Sequence, residues 1–147
     1  MTDVQSPSPS PSPITASLVQ EESRLAFLPT NFGLRSMMRG EALVYRWMGT
    51  LCSAYSGGYW HYYTLSNGGF YLAPRSDDRF RLQVDNGFRG ELSADAAGIV
   101  ATLYALNQLA WELEGTANCE AIVERYYHLG AFARAHAEAD GIFQAID

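Results

Sequence analysis

Apolar residues in this chain recur with two different periods, and the change between them marks out the elements. From Gly40 to about Ser53, Ala42, Leu43, Trp47 and Leu51 fall at roughly helical spacing, Tyr45 and Met48 widen the stripe, and a Ser-Gly-Gly run ends it. In GGYWHYYTLSNGGFYLAP, residues 57–74, the period drops to two around Asn67-Gly68, a strong hairpin signal. A two-residue turn there sets Leu65 opposite Phe70 and Tyr63 opposite Leu72. One face then carries Tyr59, His61, Tyr63, Leu65, Phe70 and Leu72 and is expected to be core. The other carries Trp60, Tyr62, Thr64, Ser66 and Tyr71, whose hydroxyls and indole N–H ask for polar partners.

A second hairpin follows in RFRLQVDNGFRGEL. Its three-residue loop Asp85-Asn86-Gly87 pairs Val84 with Phe88, Leu82 with Gly90 and Phe80 with Leu92, which leaves Arg81, Gln83, Arg89 and Glu91 on a charged outer face. Ser93 then caps a helix predicted from Ala94 to about Glu114, with Asp95 in its first turn and Gly115 as its stop. Ile99, Leu103, Leu106, Ala110 and Leu113 form one stripe, and Val100, Tyr104, Asn107 and Trp111 a neighbouring one, so this should be the central, mostly buried helix. A further helix runs from an Asn118 cap to about His136, and a short one closes the chain in GIFQAID. The predicted architecture is α+β: a four-stranded antiparallel meander with helices packed mainly on one face.

Outside this pattern lies SPSPSPSP, Ser6 to Pro13, whose alternation favours solvated polyproline-like chain. Residues 1–22 are therefore expected to be a disordered Ser/Pro-rich tail, and residues 23–147 one domain. The start has neither the positive charge nor the apolar core of an export signal. The longest uncharged helical stretch, Ala96 to Trp111, is too short and too polar to span a bilayer. A cytoplasmic protein without a membrane anchor is the expectation.

Candidate chemistry is sparse. His128 and His136 stand eight apart on one helix, about 80° round and two turns distant, so they cannot chelate one ion by themselves. No metal and no cofactor are expected. A small enzyme built on His61 with Cys52, Cys119 or Glu41 is the alternative, since such groups meet in space rather than in sequence. No nucleophile elbow or phosphate-binding glycine loop accompanies them.

Charge narrows the partners. The chain carries −6, with +1 in residues 1–75 and −7 in residues 76–147, which disfavours direct nucleic-acid binding. Mimicry of DNA is also weak in magnitude, because ten base pairs carry roughly 20 phosphates. Two surfaces remain as partner-binding candidates. One combines Trp60, Tyr62 and Tyr71 with Arg81 and Arg89, residue types that anchor interfaces, unless the first helix or the chain near FLPTNFG covers it. The other is the acidic edge of Glu120 and Glu124, next to Glu112 and Glu114, whose plain alternative is a solvated face. An uncovered aromatic face would favour a homodimer.

The segments RLAFLPTNFG, RGEALVYRWM, GGYWHYYTLSNGGFYLAP, NGFRGELSADAAGIVATLYALNQLAWELE and ERYYHLGAFARAHAEADGIFQAID resemble, in order, the bacterial ArdB/KlcA antirestriction family from about Arg24 to Asp147. Members are carried by plasmids, other mobile elements and chromosomes. The resemblance implies relief of type I restriction of incoming DNA by a non-catalytic route, through the type I restriction enzyme complex or an intermediary protein. It transfers no catalytic residue.

Overall fold

The computed structural model describes residues 12–147. Its elements, in chain order, are β1 (Ala16–Leu18), α1 (Arg24–Phe32), α2 (Met37–Leu51), β2 (Trp60–Leu65), β3 (Phe70–Pro74), β4 (Arg79–Gln83), β5 (Arg89–Ser93), α3 (Ala94–Glu112), α4 (Cys119–Arg134) and α5 (Ala139–Ile146). α3 starts where expected: Ser93 Oγ accepts the Ala96 N–H at 3.1 Å. Twelve of its 19 residues are buried, as its broad apolar circumference requires, and α2, α4, α5 and strands of both sheets gather round it.

The way α3 meets β3 decides the topology. A Cβ on Gly98 would stand 2.4 Å from the Leu72 carbonyl oxygen, so the missing side chain lets the helix lie flush on the strand. One turn further on, the buried Thr102 hydroxyl accepts the Leu72 N–H at 3.2 Å and donates to the Leu72 carbonyl at 3.3 Å. Those are the backbone groups through which an edge strand would recruit a neighbour. α3 has taken the place of a fourth strand. The predicted four-stranded meander is therefore corrected: the strands form a three-stranded sheet ordered β1-β2-β3 and a separate pair, β4-β5. The α+β class and the antiparallel pairing stand.

The helices, expected mainly on one face of the sheet, reach both faces of the β2-β3 hairpin. Phe27 of α1 stacks on Tyr62 at 4.5 Å and Tyr45 of α2 lies 5.1 Å from Trp60 on one side of the β2-β3 hairpin. Phe132 of α4 stacks on Tyr71 at 5.7 Å on the other. The hairpin register also moves by one. Thr64 pairs with Phe70, Tyr63 with Tyr71 and Tyr62 with Leu72, because the loop is three residues long, with Gly68 at φ +93° and Leu65 N–H donating to Gly69 O at 2.9 Å. Asn67 holds that loop, accepting the Gly69 N–H at 3.0 Å and donating to the His128 carbonyl of α4 at 2.9 Å. The β4-β5 hairpin keeps its predicted register, Phe80 with Leu92 and Leu82 with Gly90.

β1 shifts the expected start of the folded body. Ala16 pairs with Leu65 and Leu18 with Tyr63, so strand pairing begins inside the stretch assigned to a tail of residues 1–22. Residues 1–11 of that stretch lie outside the described residues. Among the described residues no helix is long and apolar enough to cross a membrane.

Candidate docking surfaces and the polar clasp

Burial removes the aromatic half of the first candidate surface. Trp60, Tyr62 and Tyr71 are 3%, 7% and 2% exposed. Their polar atoms are bonded inside the protein. The Trp60 indole donates to the Tyr55 hydroxyl at 2.7 Å, and the Tyr62 and Tyr45 hydroxyls donate to Glu41 Oε2 at 3.1 and 3.2 Å. Burial first, then the Glu41 carboxylate, holds the Tyr62 hydroxyl above its ordinary pKa. α1, the covering element that the sequence offered as the alternative, carries the stacking Phe27. Arg81 and Arg89 remain exposed but on the separate β4-β5 pair, where Arg81 lies 3.7 Å from Glu91. Glu120 and Glu124 are exposed on α4.

The groups of the enzyme alternative are not assembled. Successive strand residues face opposite ways, so His61 points away from the Glu41 that Tyr62 reaches. Cys52 is buried at the end of α2, and the Cys119 thiol donates to the Ala110 carbonyl at 3.4 Å. Among the described residues no hydrogen bond joins His61 to either thiol or to Glu41. His61 instead lines a polar cleft of about 520 Å³ with Arg75, Asp77 and Asp95. Desolvation, then Arg75 and Arg24, lowers its pKa and favours the neutral ring.

A polar clasp that the sequence did not reveal borders this cleft. Tyr71 donates to Asp95 Oδ1 at 2.6 Å, His136 Nε2 meets Asp95 Oδ2 at 2.8 Å, and the Glu138 amide donates to His136 Nδ1 at 2.9 Å. Glu138 in turn accepts the Ser93 amide at 2.9 Å and the Ser93 hydroxyl, and lies 3.6 Å from Arg79. Burial pushes the Asp95 carboxyl up, but the bonds from His136 and Tyr71 outweigh it and hold it below the ordinary value. The bond to Asp95 raises His136 against the opposing effect of burial. An Asp-His pair can orient a general base, but here the nitrogen opposite Asp95 meets the Glu138 amide and no nucleophile. The arrangement fastens β3, the start of α3 and the α4-α5 connection together.

Exposed aromatic surface occurs elsewhere. Trp111, in the last turn of α3, is 70% exposed and Tyr127 of α4 66%. Together with Ala110, Val123 and Tyr126 they line a groove of about 250 Å³ between the two helices. Glu114 lies in its wall. On the α2 side, Arg39 grips Glu112 through two bonds of 2.9 and 2.7 Å, and these with Gln108 hold the Glu112 pKa down to about 2.

The fold and these surfaces define a small α+β protein with two antiparallel sheets closed around one helix, presenting an aromatic groove and charged faces to solvent. The chain belongs to the antirestriction protein family, whose model matches residues 53–147. It is 65% identical over 150 residues, the whole of both chains, to the antirestriction protein KlcA of Escherichia coli. A second Escherichia coli KlcA is 64% identical over 92% of this chain and 96% of its own. The uncharacterized protein YafX of Escherichia coli strain K12 is 38% identical over 91% of this chain and 88% of its own. A solved KlcA/ArdB structure matches with a TM-score of 0.87 and 60% identity over 95% of this chain and 99% of that one. Those proteins are reported to show a novel fold and antirestriction activity against type I DNA restriction systems in vivo but not in vitro. The resemblance read from the sequence is thereby borne out.

Proposed function

We propose that this chain relieves type I restriction of incoming DNA by a non-catalytic inhibitory interaction in the bacterial cytoplasm. The observation that carries this reading is likeness along the whole chain: 65% identity to a KlcA and a TM-score of 0.87 to the KlcA/ArdB structure, whose proteins act against type I systems in cells. Activity in vivo but not in vitro in that relative favours a route through a cellular intermediary over direct blockade of the purified enzyme. A net charge of −6 supports a protein partner in place of DNA, because nucleic-acid binding draws on released counterions and needs a basic surface. The deciding experiment plates unmodified phage on cells with a type I system, with and without this protein, beside a type II strain. Recovery confined to the type I strain is expected. Equal plating in all strains, with the folded protein abundant, would remove this function.

A further inference from the structure

We infer that the groove between α3 and α4 is the docking site for a basic amphipathic segment of a protein partner, with Trp111 and Tyr127 gripping its apolar face. The inference names the surface used in the inhibitory interaction proposed above and rests on that reading.

The three tryptophans make the case for a docking role. Trp47 donates its indole N–H to Gln108 at 2.9 Å and Trp60 donates to Tyr55 at 2.7 Å. Trp111 has no such bond among the described residues and leaves 70% of its surface in water. A lone exposed apolar residue needs no explanation. Trp111 is not alone: Tyr127, 66% exposed, stands in the same groove, whose floor is supplied by Ala110, Val123 and Tyr126. Rigid aromatics beside a preformed apolar trough, between two helices, suit a helix laid in a groove.

Charge selects the occupant. Glu114 lines the groove and no arginine does. Glu120 and Glu124 are exposed one turn apart on α4, and at about 100° per residue they stand on the Tyr127 side of that helix. Burial first, then Tyr127 and the Asp147 carboxylate, raise the pKa of the Tyr126 hydroxyl in the groove. A second copy of this chain would bring the same carboxylates against these. A segment with branched or aromatic residues on one face and arginine or lysine on its flanks would match both the trough and its rim.

Two measurements test this. In the plating assay, Trp111→Ala with Tyr127→Ala, and separately Glu120→Arg with Glu124→Arg, should each lower relief at least tenfold while Trp111→Phe retains it and all three variants stay folded by circular dichroism. No relief by the unaltered protein would overturn the functional reading and the groove with it. Relief that survives in both double variants would overturn the groove alone. In solution, an 18-residue amphipathic helix of leucine and arginine should bind the full-length protein at least tenfold more tightly than its glutamate counterpart, and Trp111→Ala should abolish the difference. Binding unchanged by Trp111→Ala, or a dimer that Trp111→Ala dissociates in sedimentation, would also overturn it.

Discussion

The β2-β3 hairpin and the α3-α4 groove are both rich in aromatic side chains, yet the protein treats them in opposite ways. In the hairpin, the three buried rings that carry a polar atom each find an internal partner: Trp60 has Tyr55, Tyr62 has Glu41 and Tyr71 has Asp95. Helices cover both faces of that sheet. In the groove, Trp111 and Tyr127 face water beside exposed carboxylates. Aromatic content therefore does not mark an interface; unspent hydrogen-bonding capacity on a surface that packing leaves open does. Trp60→Ala breaks the comparison most sharply. A fully packed tryptophan lost from a core costs about 3–5 kcal/mol, so this variant is expected to unfold near ambient temperature or melt many degrees lower by calorimetry.

The seam between α3 and β3 comes next. Gly98→Val places a branched side chain where a single Cβ already meets the Leu72 carbonyl at 2.4 Å. Backbone cannot yield as a flexible side chain would, and overpacking of this kind costs about 1–3 kcal/mol. Urea denaturation should show the loss. Stability equal to the unaltered protein would mean that α3 does not lie flush on the strand edge, and would reopen the question of what separates the two sheets.

The clasp at the far end of the hairpin should read out as pH dependence. Asp95 has a folded pKa below 3.8, so its contribution is present above that value and lost as pH falls through the lowered one. His136 has a folded pKa above 6.5, so its contribution is complete below pH 6.5 and lost as pH rises through the raised value. Stability should accordingly have a plateau between about pH 4 and 6.5 and decline on both sides. Asp95→Asn should lower the plateau by about 1 kcal/mol, the modest end for a charged hydrogen bond at a partly exposed site, and flatten the profile. A variant that keeps the full pH profile would assign it to other groups.

Parts of this arrangement were legible in the sequence for a physical reason. The β4-β5 hairpin has one charged face, so alternation and the three-residue Asp85-Asn86-Gly87 loop together set its register, and α3 was marked by the Ser93 cap and its nearly continuous apolar surface. The β2-β3 register was not legible because both faces are buried and apolar residues occupy both, leaving alternation nothing to choose between. β1 is three residues, Ala-Ser-Leu, with no periodic signal, and α1 carries Pro29, which reads as a break. The split of the sheet depends on Gly98 and Thr102, whose meaning appears only once Leu72 lies against them. His136 and Asp95 meet across 41 positions. The groove left one trace: the α3 stripe of Val100 and Tyr104 continues through the polar Asn107 to Trp111, a tryptophan beyond the point where the stripe stays apolar.

The smallest effect on stability belongs to the groove itself, and that smallness is its diagnostic. Trp111 leaves most of its surface in water, so Trp111→Ala removes little buried area and creates no cavity. Substitutions at such surface positions fall within about 0.5 kcal/mol, and the calorimetric midpoint should move by only a few degrees. A loss approaching that of Trp60→Ala would show that Trp111 packs as a core residue and would erase the contrast between the two regions. An unchanged midpoint accompanied by lost restriction relief would place the tryptophan in the interaction and not in the fold, since a residue that stabilises nothing in the free protein can act only through what it meets.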